Sequence, residues 1–288
     1  MKKHFIIIYT KIIQIIIKLF LFPFSKTKKA KLLSGWLVGF IPKISIDIPN
    51  TNDKIIFFCP SNTTVFRAET LFKKEPETIK WIKTFEKNDI FWDVGANVGV
   101  FSLFAASRGI RTFSFEPSSG NYWVLNKNIF INNYDKLIKA LPVAFSNKSK
   151  IGVFNMSDIE LGGAIYLFGE NKNSIEHGSS KKNVCFHQGM IGISIDDFLY
   201  NFKIDPPNHL KIDVDSIEIQ IIKGAHKLLK EETTKSVMIE LDSNNREDIN
   251  YVSKIMGKSG LKLAEKKHSE YYTPNEFNSI YNYLFSRY

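Results

Sequence analysis

The sequence predicts an α/β fold in which a mostly parallel sheet of seven strands carries helices on both faces, preceded by an amphipathic N-terminal helix. The stretch from Ile90 to Val94 is almost wholly apolar, as in a strand that helices cover on both faces. A glycine turn and a segment with helical apolar spacing follow it directly, and strands and helices then alternate along the chain. With 288 residues, 44% of them apolar, the chain is long enough for one large domain with a buried core.

Residues 1–33 are predicted to form the amphipathic helix. Lys11, Gln14 and Lys18 interrupt the apolar run over residues 5–24, and on a helix they form one polar stripe. This stripe favours a helix lying in the interface of an anionic membrane over a spanning helix or a signal peptide. Packing on the rest of the chain and an oligomer contact are equally compatible with it. On the membrane interpretation the protein is expected in the cytoplasm, in peripheral contact with the inner face of the membrane.

Charge and cysteine content narrow the expected partners. The net charge of +10 is spread along the chain rather than gathered into an arginine-aromatic patch, so a nucleic acid partner is not predicted. Cys59 and Cys185 are far apart in sequence, which argues against a disulfide framework and for a reducing compartment. His177, Cys185 and His187 lack the spacing of zinc ligands, and we interpret them as chance neighbours in a polar region. The oligomeric state does not follow from the sequence.

Turn residues divide the chain further. Glycines and prolines over residues 34–53 predict a linker, and the α/β domain is predicted over residues 54–288. Within that domain we expect a third strand over residues 137–145, a β-hairpin over residues 150–170 and a polar loop up to residue 189. Loops carry recognition on α/β scaffolds, so this insertion is expected to shape acceptor specificity, and a mobile surface loop without a role is an equally compatible interpretation.

The turn after the first strand is the first candidate site. Asp93, Gly95, Asn97 and Gly99 form the pattern Asp-x-Gly-x-Asn-x-Gly, in which the glycines allow positive φ and close approach of a ligand to the backbone. Neither the dinucleotide fingerprint nor the phosphate loop matches, so a phosphate ligand is not favoured. The pattern resembles the first motif of class I methyltransferases, which bind S-adenosylmethionine. An acid such as Asp93 would suit the sulfonium and ammonium of that cofactor.

A second strand ends in an acid. The strand from Arg111 to Phe115 leads into Glu116, which lies 21 residues after Gly95. Open α/β folds that bind nucleosides carry, at about that distance, the acid that accepts the ribose hydroxyls. Glu116 is therefore predicted to bind a ribose.

Charged residues alternate along a later strand. Lys211, Asp213 and Asp215 would share one face of it, and a strand near residue 240 ends in Glu240. Because helices should cover both faces of this sheet, buried charges there are costly unless they are paired or functional. The sequence therefore predicts a functional cluster where these strands end.

The motifs together resemble the FkbM family of S-adenosylmethionine-dependent methyltransferases over about Lys54 to Arg287. They run in the order D-V-G-A-N-V-G, F-E-P-x4-N, S-I-D-D-F, K-I-D-V-D-x-x-E, I-K-G-A and M-I-E-L. The resemblance implies a class I methyltransferase fold, which is Rossmann-like. It also implies S-adenosylmethionine as cofactor and methylation of a hydroxyl oxygen on a glycan, lipid-linked sugar or natural product. In this chain Ser216 follows Asp215, whereas the family usually has a glycine at that point.

The resemblance also assigns residues. It implies a first cofactor motif at Asp93, Gly95, Asn97 and Gly99, a ribose acid at Glu116, part of a second motif at Asn121, and a later motif at Lys211, Asp213 and Glu218. In class I methyltransferases the segment just upstream of the first strand often covers the cofactor, so further candidates to line the site are Arg67, Glu75, Glu77 and Thr78. Helix caps and surface charges are an equally compatible interpretation of these four residues. A domain that binds the cofactor without catalysis is the alternative function, and an NAD-dependent oxidoreductase is a more distant one.

The reaction requires a base that removes the hydroxyl proton of the acceptor. Asp213 is predicted as that base because it follows a strand end, with Lys211 orienting it and Glu240 or Asp215 in reserve. A purely structural ion pair between Lys211 and a carboxylate is equally compatible with the pattern. No complete set of metal ligands is visible, so no metal is assigned.

Overall fold

The computed structural model describes Ile16, residues 42–268 and residues 277–287. The chain divides into two compact units, Met1–Pro42 and Lys43–Tyr288, and all strands and helices named below belong to the second. The amphipathic segment predicted over residues 5–24 lies outside the described residues, apart from Ile16. Among the described residues, no helix has the length and apolar character needed to cross a bilayer.

The strands of the described part are β1 (Lys43–Asp47), β2 (Lys54–Phe58), β3 (Ile90–Val94), β4 (Arg111–Phe115), β5 (Ile138–Leu141), β6 (Ala144–Phe145), β7 (Lys150–Met156), β8 (Tyr166–Gly169), β9 (Ser174–His177), β10 (Ser180–Asn183), β11 (Phe186–Ile193), β12 (His209–Ile212), β13 (Ser236–Asp242), β14 (Lys262–Lys267) and β15 (Ile280–Ser286). The α-helices are α1 (Asn62–Glu69), α2 (Pro76–Ile82), α3 (Val100–Ser107), α4 (Ser119–Ile131), α5 (Ile195–Phe202), α6 (Glu218–Lys223) and α7 (Arg246–Lys258).

A central sheet of seven strands has the order β14-β15-β13-β12-β3-β4-β5. Its neighbours pair in parallel except β15, which runs antiparallel to both β13 and β14. Buried side chains of α1 to α4 form a core with one face of the sheet, and those of α5 to α7 form a core with the other. This arrangement confirms the predicted α/β class with a mostly parallel, seven-stranded sheet.

A smaller sheet is inserted after β5. It has the order β6-β11-β7-β8, with β6 parallel to β11 and the other pairs antiparallel. The hairpin predicted over residues 150–170 is present as β7 and β8, but the predicted loop that follows contains a hairpin of β9 and β10 and the long strand β11. The strand predicted over residues 137–145 is split between the two sheets, because Pro142 has no N–H for a ladder.

The predicted linker also contains a strand. β1 lies within residues 34–53 and pairs with β2 in an antiparallel hairpin. Ile44 and Ile46 are half-buried between exposed neighbours, which is the alternation of an edge strand. The glycines and prolines around it had outweighed this short pattern, so the structured part begins earlier than the sequence predicted.

Candidate active site

A cavity of about 350 Å³ opens where the parallel strands of the central sheet end. That edge is where open α/β sheets bind their ligands. Of the predicted site residues, Gly95, Asn97, Glu116, Asn121, Asp213 and Glu240 line the cavity. The smaller sheet closes its other side with Phe154, Tyr166 and Phe168.

The glycine turn after β3 depends on its glycines for two reasons. Gly95 and Gly99 have φ of 86° and 88°, a backbone conformation that residues other than glycine rarely adopt. At Gly95 a β-carbon would also overlap the backbone carbonyl oxygen of Asp213. Glycine at this position therefore lets the ends of β3 and β12 approach each other, in addition to leaving the turn accessible to a ligand.

Asn97 and Glu116 meet in this turn. The backbone N–H of Asn97 donates to Oε2 of Glu116 at 2.8 Å, and the N–H of Ser118 donates to Oε1 at 2.8 Å. Burial raises the pKa of Glu116 to about 7, although these two hydrogen bonds oppose the shift. Each carboxylate oxygen keeps a lone pair for a further donor. The Oδ1 atom of Asn97 is buried and has no partner among the described residues, so a donor is missing here.

Asn121 holds a loop over the cavity. Its Oδ1 accepts from the N–H of Gly162 at 2.7 Å, and its amide donates to the carbonyl of Gly163 at 3.1 Å. The amide of Asn97 donates to the same carbonyl at 2.7 Å, and Nε of Arg67 donates to the carbonyl of Gly162 at 2.6 Å. The sequence assigned Asn121 to the cofactor, and its side-chain amide is occupied by this loop.

Asp93 lies behind the turn and does not line the cavity. Its carboxylate accepts from the Ser102 hydroxyl at 2.6 Å, and Ser102 accepts from Ser114 at 2.7 Å. Burial raises the pKa of Asp93 to about 6, although Lys211, its partner in the pairing of β12 with β3, lowers it. Asp93 therefore does not face a ligand in the cavity. It binds Ser102 of α3 and interacts with the charge of Lys211, and both of these lie next to the site.

Lys211 is a buried cation surrounded by acids. Its Nζ donates to Asp213, lies 3.8 Å from Oε2 of Glu75 and sits 4.8 Å from the centre of the Phe101 ring. Burial alone would lower the pKa of Lys211, but Asp213, Glu75 and Asp93 raise it above its ordinary value. Burial would also raise the pKa of Asp213, yet the charge of Lys211 lowers it to about 2. Asp213 is thus an ionised carboxylate throughout the physiological range.

A smaller cavity of about 50 Å³ shares part of its lining with the main one. The shared residues are Arg67, Lys74, Gly95, Asn97 and Asp213. Arg67 and Lys74 give this corner positive charge, and Asp213 and Glu75 give it negative charge, with Nζ of Lys74 3.4 Å from Oε1 of Glu75. The corner therefore suits a group that carries a carboxylate and an ammonium together.

His177 joins the site from the β9–β10 hairpin, where the sequence had predicted a loop. Its Nε2 lies 3.7 Å from Oε2 of Glu240 and 3.9 Å from Oδ1 of Asp215, and its Nδ1 lies 3.3 Å from the Ser216 hydroxyl. Burial and the charge of Asp213 raise the pKa of Glu240 well above its usual range. The sequence signal for β9 is the single apolar Ile175 between polar Ser174 and Glu176, ahead of a two-residue turn, and this short pattern does not distinguish His177.

Backbone strain gathers around the cavity. Ile165, Asp215 and Ser216 have φ of 66°, 53° and 91°, which is unfavourable for residues with a β-carbon. Oδ2 of Asp215 accepts from the N–H groups of Ile165 and Tyr166 at 2.7 and 3.2 Å, so the strained segments are fastened to each other. Such strain is typical of functional sites.

The site contains acids and one histidine, but no three His, Cys, Asp or Glu side chains of the described residues converge to hold a metal ion. Cys185 is exposed, and Nδ1 of His187 contacts Asn155, not His177. The three residues thus do not form one group.

Comparison with known proteins gives consistent relatives. The chain is 25% identical over 156 residues to the hexuronic acid methyltransferase AglP of Haloferax volcanii, covering 54% of this chain and 57% of AglP. It is 27% identical over 165 residues to the methyltransferase sdnD of Sordaria araneosa, covering 50% and 62%. The chain thus spans about three-fifths of these relatives. A crystal structure of an FkbM methyltransferase from Methylobacillus flagellatus matches with a TM-score of 0.45 and 18% identity, over 69% of this chain and 44% of that one.

The sequence profile of the methyltransferase FkbM domain matches residues 93–287. That range begins near the end of β3, directly before the glycine turn, and ends after the last strand of the central sheet. This chain belongs to the FkbM methyltransferase family.

Proposed function

We propose that this protein transfers a methyl group from S-adenosylmethionine to a hydroxyl oxygen of a sugar or a similar polyol. The observation that carries the proposal is the lining of the cavity, which joins Glu116 at one end to Asp213 and Glu240 at the other across the glycine turn. This lining matches a ligand that has a ribose, a cationic centre and an acceptor beside it. The size of the cavity is within the range of small-molecule sites.

The residues present fit such a cofactor. Glu116 has lone pairs left for two ribose hydroxyls, and Asn97 Oδ1 is a buried acceptor that lacks a donor among the described residues. Asp213 stays ionised beside the turn, as a cationic ligand requires, because Lys211 holds its pKa near 2. Arg67 and Lys74 flank the same corner and suit an amino acid carboxylate.

The bound cofactor supplies an electrophilic methyl group on a sulfonium, so the protein needs to orient the acceptor and take its proton. Orientation alone can supply about 7–11 kcal/mol of the barrier. The sequence assigned the proton to Asp213, but a carboxylate with a pKa of about 2, bonded to Lys211, is a weak base at neutral pH. We therefore assign Asp213 to the cation of the cofactor.

A sugar acceptor is supported by two features. Phe154 and Tyr166 pack edge to face, 5.7 Å apart, and with Phe168 they form an apolar wall opposite the carboxylates. Aromatic walls suit the apolar faces of pyranose rings, whereas Asp158 and Glu160 at the same cavity offer acceptors for hydroxyls. The relative AglP is named as a methyltransferase of a hexuronic acid, which is a compound of this class.

The cofactor part is tested by substituting Glu116→Ala and titrating S-adenosylmethionine, S-adenosylhomocysteine and NAD by calorimetry. Removing charged hydrogen bonds to the ribose should weaken both sulfur nucleosides by roughly 1.5–3 kcal/mol, or about 10- to 150-fold. Glu232→Ala, an exposed acid away from the cavity, is the matched control and should leave affinity unchanged. Binding of NAD alone would replace the proposal with an oxidoreductase.

The transfer itself is tested with a tritiated methyl donor and the glycan fraction of a cell extract. Label in that fraction with the wild-type protein supports the proposal. Tight cofactor binding with no label in any fraction would instead support a domain that binds the cofactor without catalysis.

A further inference from the structure

We propose that His177 is the base that removes the acceptor proton and that Ser216 is the positioning residue that fixes its tautomer. The inference rests on the proposed methyl transfer and gives a role to a histidine in the inserted β9–β10 hairpin. It is carried by the hydrogen bonds around the imidazole and by the strained segment that provides them.

The hydroxyl of Ser216 decides which nitrogen of His177 carries a proton. Its only hydrogen points to the backbone carbonyl of Glu176, which lies 2.8 Å from Oγ. Toward Nδ1 of His177, 3.3 Å away, Oγ can therefore only accept. A neutral His177 must then carry its hydrogen on Nδ1 and present the lone pair on Nε2.

Nε2 is the nitrogen that a base in this cavity needs. Among the described residues it has no partner at hydrogen-bond distance, and the nearest carboxyls are those of Glu240 at 3.7 Å and Asp215 at 3.9 Å. Asp215 is anchored by two backbone N–H donors, so its carboxylate is held beside the ring. His177 lines the cavity together with both of these acids.

The strain at Ser216 supports a functional reason for a side chain there. Its φ of 91° favours glycine, yet the chain has a serine whose hydroxyl bonds the β9 backbone and contacts the imidazole. Glycine would relieve the strain and lose both contacts. A residue that costs stability at a cavity edge and orients a histidine is consistent with a positioning role.

In the transfer step the acceptor oxygen forms a C–O bond to the methyl carbon while the C–S bond breaks, and the electron pair of that bond stays on sulfur. The hydroxyl proton passes to Nε2, which gives an imidazolium between Asp215 and Glu240. The products are a methyl ether, S-adenosylhomocysteine and a protonated His177, which then releases its proton to solvent. No other reactant is needed.

The tautomer is tested without any substrate. Long-range ¹H–¹⁵N correlation spectra of protein labelled at histidine should show neutral His177 with its hydrogen on Nδ1 and His209 with its hydrogen on Nε2. In Ser216→Gly the His177 pattern should change to a mixture or to the Nε2–H form, while His209 is unchanged and the melting temperature is equal or higher. An unaltered His177 pattern in that variant, or an Nε2–H tautomer in the wild type, would overturn the positioning role.

The chemistry is tested by transfer of the tritiated methyl group to the glycan fraction that the wild-type protein labels. His177→Gln should lower turnover about 10²- to 10⁴-fold with cofactor affinity within threefold of the wild type, and His177→Ala should regain part of its activity with added imidazole. His226→Gln, at an exposed histidine, should match the wild type. Full turnover of His177→Gln would refute the base, whereas a wild-type protein that transfers nothing would refute the proposed function instead.

Discussion

Two histidines at opposite ends of the central sheet have similar neighbours and different hydrogen bonding. His209, at the start of β12, has Nδ1 2.7 Å from the Ser236 hydroxyl and Nε2 2.9 Å from Asp89, and its ring stacks on Phe85 at 3.7 Å. His177, at the other end, also faces a serine and carboxylates, but its Nε2 comes no closer than 3.7 Å to either acid. The first ring has both nitrogens bonded, and the second has one nitrogen directed at a cavity.

The same contrast holds for the whole of each end. At the start of the strands Trp81 donates to Ser236, and Lys235 bonds Asp89 and Glu86, so the polar groups there satisfy one another. At the end of the strands, carboxyls outnumber the cations that face them, and several pKa values are shifted by burial. We infer that the first end mainly stabilises the sheet, and that the second accepts a cost in stability for a charged binding site.

The largest expected effect is that of removing the buried cation. Lys211→Met would remove the fully buried cation that faces Asp213, Glu75 and Asp93 and leave only the partly exposed Lys74 and Arg67 near these acids, which should lower the free energy of unfolding by about 3–5 kcal/mol at pH 7. Its counterpart at the other end, Lys235→Met, should cost about 1 kcal/mol or less because Lys235 is 28% exposed and one partner, Glu86, is in solvent.

Urea unfolding monitored by tryptophan fluorescence gives both values. Equal losses of unfolding free energy in the two lysine variants would contradict the difference between the two ends of the sheet. A loss for Lys211→Met that becomes smaller as the pH is lowered would support it, since the carboxyls left by the lysine can then take up protons.

The next effect concerns two glycines with similar backbone and different surroundings. Gly95 and Gly109 have φ of 86° and 80°, but a β-carbon at Gly95 overlaps the Asp213 carbonyl, whereas at Gly109 it meets nothing within 4 Å. Both alanine variants lose the backbone freedom of glycine, worth about 1–2 kcal/mol. Gly95→Ala should lose roughly 1–2 kcal/mol more, because the ends of β3 and β12 must separate.

Comparing the two variants by thermal and urea unfolding separates the cost of the overlap with the Asp213 carbonyl from the cost of positive φ, because only Gly95→Ala has both. Should they prove equally stable, the close approach of β3 and β12 is not what requires glycine at this turn. Cofactor titration of Gly95→Ala adds a second reading, since Asp213 would be displaced.

Much of the site could be predicted because parallel strands end at one edge of a sheet. Glu116 and Asp213 directly follow β4 and β12, and Glu240 lies near the end of β13, so strand order alone brings the three acids together. The sequence does not predict on which side of the sheet the Asp93 side chain lies. Because β3 is buried on both faces, its residue pattern has no polar face from which that side could be inferred.

His177 could not be found by the same reasoning. Its contact with Glu240 joins residues 63 positions apart, through a hairpin that pairs with neither sheet. Local propensity indicates a loop there, and only the packing of the insertion brings His177 to the ends of the strands. The role of Asp213 could not be predicted from the sequence either. Its pKa depends on the charges of Lys211, Lys74 and Arg67 around it, and not on its place in a motif.

The smallest effect we predict is the pH dependence of the closed network around His209. Burial lowers the pKa of His209 to about 4, below its value of about 6.5 in an unfolded chain, so the folded state favours the neutral ring. The stability that this difference contributes is complete above pH 6.5 and is lost as the pH falls toward 4. The free energies of unfolding of the wild type and of His209→Gln should therefore differ most at neutral pH and converge by roughly 2–3 kcal/mol between pH 6.5 and 4.

Asp93, Glu116 and Glu218 titrate in this range with the opposite sign, because burial raises their pKa values, but they are common to both proteins and cancel in the difference. His226→Gln, at an exposed ring, should run parallel to the wild type at every pH. If the free energy of unfolding of His209→Gln also runs parallel to that of the wild type, the hydrogen bonds around His209 do not keep its ring neutral. The contrast between His209, with both nitrogens bonded, and His177, with one nitrogen facing the cavity, would then be contradicted at His209.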